Sequence, residues 1–447
     1  MKEEFVPISL IAFLRTKWLY LIAPLGFSLI AFCLSFEINF LLTALLTPNA
    51  YGDASLVLAW LSILGSVIVL GLDQTSLRFL SGYIDTQNET RLYQFMAWGL
   101  NHIKWPMFGT CALGMALIVS QYYLYPNQSQ GLLIPCLLLA TPLLGLSNWF
   151  ASLLLAYRKT SHATFIQYLA FPLTLVIILA SCYAMHVTTL SVTSIYCIYI
   201  IALLIIFGIS LSYCNKRIPS FKAMLIQRKT QGDVSIQSQW IDCACRQAGS
   251  MLIYNLVVNL DLLIMGVAGN HTDTLGHYTL AVAISDIIWL IPQSLFQYLR
   301  SEVEGSLKSS SQTETLQKMW DKTFAFNAIL SIVITGLILV NIDTILALFG
   351  PEYAPTKPLL QVLVVGNFLA ALLGCPSIAL RYTGHVNKLV YINFATAIIM
   401  VALSMTFIPV FGLIGVGYAC ILANILQALA ENMCAFKYTQ IKPLTWV

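Results

Sequence analysis

Windows of about 20 consecutive apolar residues, the length a helix needs to cross a hydrocarbon core of roughly 30 Å, recur along almost the whole of this 447-residue chain. Bounded by charges, Pro or Gly, they fall at 20–45, 54–76, 105–125, 131–157, 163–185, 190–212, 247–268, 276–299, 324–349, 357–380, 387–409 and 411–436. Charged residues make up only 9% of the chain against 58% hydrophobic residues, and the mean hydropathy is +0.80. No soluble fold hides that much apolar surface, so the expected solvent is lipid. The stretch after Arg15 and Lys17 runs on through Leu-Tyr-Leu-Ile-Ala-Pro24 without the short apolar core and small-residue cleavage site of a secretory signal, and the first span is expected to be kept.

Basic residues stay on the cytoplasmic side during insertion. With the N-terminus inside, 22 of the 23 Lys and Arg fall in cytoplasmic segments or at their helix ends, Lys357 being the exception. Twelve spans with both termini cytoplasmic follow, and the formal net charge of +4 becomes a topology signal that carries no implication of nucleic acid. The eleven Cys are scattered through apolar spans, so no disulfide framework is implied. Cys243 and Cys245 form a lone C-x-C beside Arg246, without the second pair or clustered His of a zinc site.

Residues 213–245 are the longest polar stretch, and they divide the chain into an N-terminal six-helix bundle (1–212), a cytoplasmic linker (213–245) and a C-terminal six-helix bundle (246–447). The halves echo each other. Glu37 and Asp261 are the two acids deepest in apolar stretches; each precedes a glycine, Gly52 or Gly276, by fifteen positions, so both pairs share an offset of 224. Six spans per half places both halves the same way up, a parallel internal repeat about an axis along the membrane normal, with the natural binding site between them. The external loops are short and leave no room for a folded outer domain.

A charge inside hydrocarbon is costly enough to mark function. Glu37 sits about 15 Å from the external end of its span at 1.5 Å per residue, near the midplane, and Asp261 is comparable. Both read as coupling-ion or cavity acids, or as buried structural hydrogen bonds between helices. In span eight Asp286, Gln293, Gln297, Arg300 and Glu304 fall on one face, and in span two Asp73 takes the position matching Gln297. Such stripes suit a polar cavity; ordinary helix packing through small and polar residues is the plainer account. Arg78, Arg246, Arg300 and Arg381 lie at the cytoplasmic ends of spans two, seven, eight and ten, where a guanidinium fork could clamp phosphate, although the topology rule also places basic residues there. Span twelve carries Asn424, Gln427 and Glu431 at helical spacing, read as a solvated helix end. Proline recurs within spans, Pro376 among others, and kinks a helix unless neighbours repair the bond. No HExxH, GxSxG, Walker loop or GxGxxG occurs in a credible context.

The segment Leu41 to Leu56, followed by Gly71-Leu-Asp-Gln-Thr-Ser-Leu-Arg78, resembles bacterial Wzx-like O-antigen and polysaccharide flippases, of the multidrug, oligosaccharidyl-lipid and polysaccharide exporter superfamily. Asn259 to Gly266 running on to Leu275-Gly-His-Tyr278, and Leu348 to Ala354, agree. The resemblance implies an all-α integral membrane protein of about twelve transmembrane helices, two six-helix bundles set in a V around a central cavity. It also implies alternating access that moves an undecaprenyl-diphosphate-linked oligosaccharide across the bacterial inner membrane, for O-antigen, capsule or a related surface polysaccharide. The sugar would occupy the polar cavity and the diphosphate would meet basic side chains; Asp73, Gln293 and Gln297 for the one and Arg78, Arg246, Arg300 and Arg381 for the other are taken from their positions in this chain, not from the resemblance. No cofactor is expected; a proton or sodium gradient is one drive open to such a transporter, and the membrane potential is another. Expected partners are the lipid-linked oligosaccharide, membrane lipids, and a polysaccharide polymerase and chain-length regulator. A multidrug or cation antiporter of the same superfamily is the nearest alternative. A membrane polymerase or glycosyltransferase would need a sizeable external catalytic loop, which the spacing of the spans does not provide.

Overall fold

In a computed structural model, residues 30–124, 133–185, 190–219, 221, 234–268, 274–293, 295–296, 310–382, 385–412 and 414–439 are described. They are almost entirely helical, with no strand among the described residues. In chain order the helices are α1 (Ile30–Leu45), α2 (Pro48–Val69), α3 (Leu72–Asp85), α4 (Glu89–Leu124), α5 (Leu133–Ala156), α6 (Thr160–Ala184), α7 (Val192–Arg217), α8 (Val234–Ala268), α9 (Thr274–Gln293), α10 (Ser310–Val340), α11 (Ile342–Phe349), α12 (Lys357–Ala371), α13 (Pro376–Tyr382), α14 (Val386–Phe411) and α15 (Ile414–Tyr438). Among the described residues nine helices are long and apolar enough to span a bilayer, and Ile30–Leu45 is a shorter apolar one. The chain is an all-α, multi-pass membrane protein.

Local chemistry sets the helix ends. Thr47 caps α2 by accepting the Ala50 N–H at 3.4 Å, with Pro48 at the first helical position, where its missing N–H would be unpaired in any case. Ser191 opens α7 in the same way, accepting from Ser194 N–H at 3.2 Å, and Lys216 and Arg217 close it. Phe165–Ala170 is a π-helical stretch inside α6, directly before Pro172. Proline cannot donate to the carbonyl one turn back, and a local change of helical register is one way to absorb the loss.

The chain divides into two compact units, Glu37–Thr279 and the remainder from Leu280 onward together with Met1–Phe36. In Glu37–Thr279 the core is aromatic, built on Phe95, Trp149, Phe150 and Trp240. The indole N–H of Trp149 donates to Ser76 Oγ at 3.1 Å, and that of Trp240 donates to the Tyr83 hydroxyl at 3.1 Å. A buried indole that finds its partner adds orientation to its large apolar burial. Trp240 therefore ties the first turns of α8 to α3 and α4, and α8 packs along α2 and α3. In the unit that holds Leu280 onward, Phe296, Trp320, Phe324 and Ala379 make a second core.

Two of the expected spans are interrupted at a left-handed glycine. The window 54–76 breaks between α2 and α3, where Leu70 (φ 45°) and Gly71 (φ 72°) are left-handed. The window 357–380 breaks between α12 and α13, with Gly374 at φ 74°. Both breaks fall in the apolar part of their windows, so hydropathy alone runs straight across them.

Candidate functional site

Asp261 lies on α8 and is 5% exposed. Its carboxylate accepts the Tyr278 hydroxyl at 2.9 Å and the Leu262 N–H at 2.8 Å, so one acid binds α8 to α9 inside the Glu37–Thr279 unit. Glu37, its repeat-related counterpart, is exposed on α1. Two positions further on, Asn39 takes the structural role instead, its amide oxygen accepting the Tyr51 hydroxyl at 2.6 Å. The two glycines that follow these acids meet. A Cβ on Gly52 would stand 2.8 Å from the Gly276 nitrogen, and one on Gly276 would strike the Pro48 carbonyl, so a side chain at either position would part α2 from α9.

Three of the four expected arginines are described, and their surroundings differ. Arg246 is exposed and forms an i,i+4 ion pair with Asp242. Arg78, also exposed, has no ion pair among the described residues. Its guanidinium donates to the Cys243 thiol at 3.8 Å and lies 5.6 Å from the centroid of the Phe79 ring. Cys243 is buried while Cys245 is exposed, as expected for positions two apart on a helix, and neither is in a disulfide. Asp73 sits half-buried in the first turn of α3, accepting from the Gln74 side chain at 3.4 Å. Asp286 stands exposed at a turn within the expected span eight, and Gln293 is exposed near the end of α9. Gln297, Arg300 and Glu304 lie outside the described residues. Among the described residues no group of three or more His, Cys, Asp or Glu is placed to hold a metal ion.

Arg381 is exposed on the short helix α13, just after the second break. Its surroundings correct the reading of span twelve as a solvated end. Glu431 on α15 is only 7% exposed. Gln427, one turn earlier, donates to the Glu431 carboxylate at 3.1 Å and to the Asn393 amide oxygen on α14 at 3.1 Å. Ser377, at the start of α13, turns its N–H and hydroxyl toward the same carboxylate, and Arg381 is within electrostatic reach of it. The carbonyls freed at the break are also met. Asn327 on α10 donates to the Ala371 carbonyl at 2.8 Å, and Asn432 on α15 donates to that of Leu373 at 3.1 Å. The helical spacing of Gln427 and Glu431 was visible in the sequence. Which way that stripe faces was not, because α15 wraps its polar face onto α12 and α13, and only packing reveals this.

No protein-family model matches the chain, and no curated protein sequence matches it. Solved structures do. An inward-facing multidrug-resistance MATE-family transporter of the MOP superfamily superposes with a TM-score of 0.72 at 12% identity, over 93% of this chain and 97% of that one. The lipid II flippase MurJ, in an inward closed conformation, matches with a TM-score of 0.65 at 12% identity, over 92% of this chain and 87% of that one. A MOP superfamily transporter from Pyrococcus furiosus matches with a TM-score of 0.58 at 11% identity, over 97% and 98%. The fold is thus the one seen in MOP-superfamily transporters, along nearly the full length of both chains.

Proposed function

We propose that this protein is a flippase for a lipid-linked oligosaccharide diphosphate in a bacterial inner membrane, acting by alternating access between an N-terminal and a C-terminal bundle, with both chain termini cytoplasmic. A headgroup of sugars and diphosphate cannot cross hydrocarbon unaided, since each polar group stripped of water costs several kcal/mol, roughly 2–7 for a neutral amide or hydroxyl alone. A transporter solves this by presenting replacement partners. The observation that carries the anionic reading is Arg78: an exposed guanidinium whose described contacts are a thiol and an aromatic ring, while the nearby Asp242 is taken up by Arg246. Such a fork is left available for phosphate oxygens. The likeness to the lipid II flippase MurJ is consistent with this reading.

A multidrug or cation antiporter is the second reading, favoured by the MATE-family likeness and by Glu37, an exposed carboxylate on an apolar helix suited to a cationic cargo. Cells lacking the protein separate the two. Loss of surface glycan with the finished lipid-linked unit trapped on the cytoplasmic leaflet supports the flippase. Normal glycan with accumulation of cationic dyes supports the antiporter and overturns the first reading.

A further inference from the structure

The break between α12 and α13 is closed by side chains from three other helical positions, and this assembly has no counterpart in the cargo chemistry above. A helix interrupted inside the membrane frees carbonyls on one side and N–H groups on the other, and in lipid each must be matched. Here Asn327 and Asn432 supply amide donors to Ala371 and Leu373, while Glu431 supplies the acceptor toward Ser377. The clasp is incomplete in a way that points to a ligand. The amide oxygens of Asn327 and Asn432 are buried, at residues 0% and 3% exposed, and neither has a hydrogen-bond partner among the described residues. Ser331 Oγ and Thr335 Oγ1, one and two turns further along α10 from Asn327, are buried and unpartnered there as well. Buried polar atoms left unmatched in this number mark a polar site rather than simple packing.

We propose that Glu431 is a proton-binding latch on this interruption. Ionised, the carboxylate holds Ser377 and Arg381, keeping α13 docked under α15. On protonation one oxygen becomes an O–H that donates to the Ser377 hydroxyl, the other goes on accepting from Gln427, and the attraction to Arg381 is lost. The titratable and charged groups around Glu431 are few: His385, at the start of α14, donates its backbone N–H to the Leu380 carbonyl at 2.9 Å and stacks on the Tyr438 ring. From α14 the facing group is the neutral Asn393, and the helix's one charged residue, Lys388, lies 4.9 Å from the Tyr438 ring centroid. From α12 the one charged residue is Lys357, paired with Asp343 at 2.7 Å. The segment before α13 contributes the Cys375 thiol, α13 contributes Arg381, and Lys437 on α15 lies against the Tyr438 ring at 5.5 Å. With the latch released, the left-handed turn at Gly374 is free to act as a hinge for α13. The latch works in the same way whatever the cargo.

Infrared difference spectroscopy of the full-length protein in lipid vesicles, titrated from about pH 8 to about pH 5, where shifted carboxyls titrate, tests it together with hydrogen exchange over residues 372–382. The wild type should gain one carboxylic-acid C=O band, with exchange at 372–382, after correction for the intrinsic slowing of amide exchange at lower pH, rising at least several-fold across the same range. In Glu431→Gln the band should be missing and exchange should stay at the fast, low-pH level throughout. A band that persists in Glu431→Gln, or exchange that does not follow pH in the wild type, overturns the proposal. A response to sodium at constant pH, with none to pH, assigns the site to a metal cation and overturns it too. The wild-type titration needs no variant to fold, and normal latch behaviour in a protein that moves no glycolipid would refute only the cargo.

Discussion

Two of the expected spans break at a left-handed glycine, and in both the glycine precedes an arginine by seven positions, Gly71 before Arg78 and Gly374 before Arg381. Both breaks have local backbone turns, and they differ in what is added to those turns. At Gly71 closure is local: the Leu70 N–H returns to the Ser66 carbonyl at 3.3 Å, and Thr75 donates both its N–H, at 3.1 Å, and its hydroxyl, at 2.8 Å, to the Gly71 carbonyl. The missing side chain of Gly71 also lets the backbone of Ala244 and Ala248 on α8 come into contact. At Gly374 local turns form as well, the Leu373 N–H returning to the Ala370 carbonyl at 3.1 Å and the Gly374 N–H to that of Ala371 at 3.0 Å, and polar side chains from other helices, Asn327, Asn432 and Glu431, are added to them. Close backbone packing leaves nothing to titrate, so the first break is a permanent bend. Hydrogen bonds to an ionisable group can be switched, so the second is a hinge. The arginines differ in the carboxylate within electrostatic reach: for Arg78 it is exposed Asp242, already ion-paired with Arg246, and for Arg381 it is buried Glu431.

The largest effect that would collapse this distinction is expected at Gly71. A Cβ there meets the backbone of α8 in a left-handed conformation, and Gly71→Ala should destabilise the protein by about 3 kcal/mol or prevent its folding, read by unfolding titration in mixed micelles. A near-neutral outcome would mean that the first break is not packed shut. At the second break, Asn432→Leu removes the donor to a buried carbonyl and should cost about 1–3 kcal/mol, with faster exchange at 372–378 than in wild type. No change in exchange would separate the asparagines from the clasp. For transport, Arg78→Ala should slow glycolipid flipping about tenfold, as expected for one lost charge-assisted contact, and more than Arg246→Ala, since Arg246 already answers to Asp242. Equal rates would remove the argument for Arg78. The smallest effect belongs to Lys357→Ala. Its ion pair with Asp343 is well exposed, with side chains 41% and 75% accessible, and is worth under about 1 kcal/mol.

Much of this organisation can be read from the chain itself. Apolar windows carry the helices, and the acid and glycine offset of 224 identified a pair, Gly52 and Gly276, that the structure brings into contact. Interruptions are harder. Val69-Leu70-Gly71-Leu72 and Leu372-Leu373-Gly374-Cys375 are as hydrophobic as the helices they end, and a left-handed residue leaves no trace in hydropathy; Pro376 signals a kink near the second break without placing the turn at Gly374. Glu431 is hard for another reason. Six positions before Lys437 it looks like the wet end of a span, and only the docking of α15 on α13 turns it inward. Glu37 and Asp261 share a repeat position, yet one is exposed and the other is bound by Tyr278, because the aromatic partner at 278 has alanine, Ala54, at the matching place in the first half.

The most direct test of the function is leaflet-resolved transport by the purified protein in vesicles carrying an undecaprenyl-diphosphate oligosaccharide, with a cationic dye present as an internal competitor. The flippase reading predicts that the glycolipid equilibrates between leaflets only when protein is present, and that the dye stays where it was placed. Dye movement with a stationary glycolipid would contradict it and leave the antiporter reading.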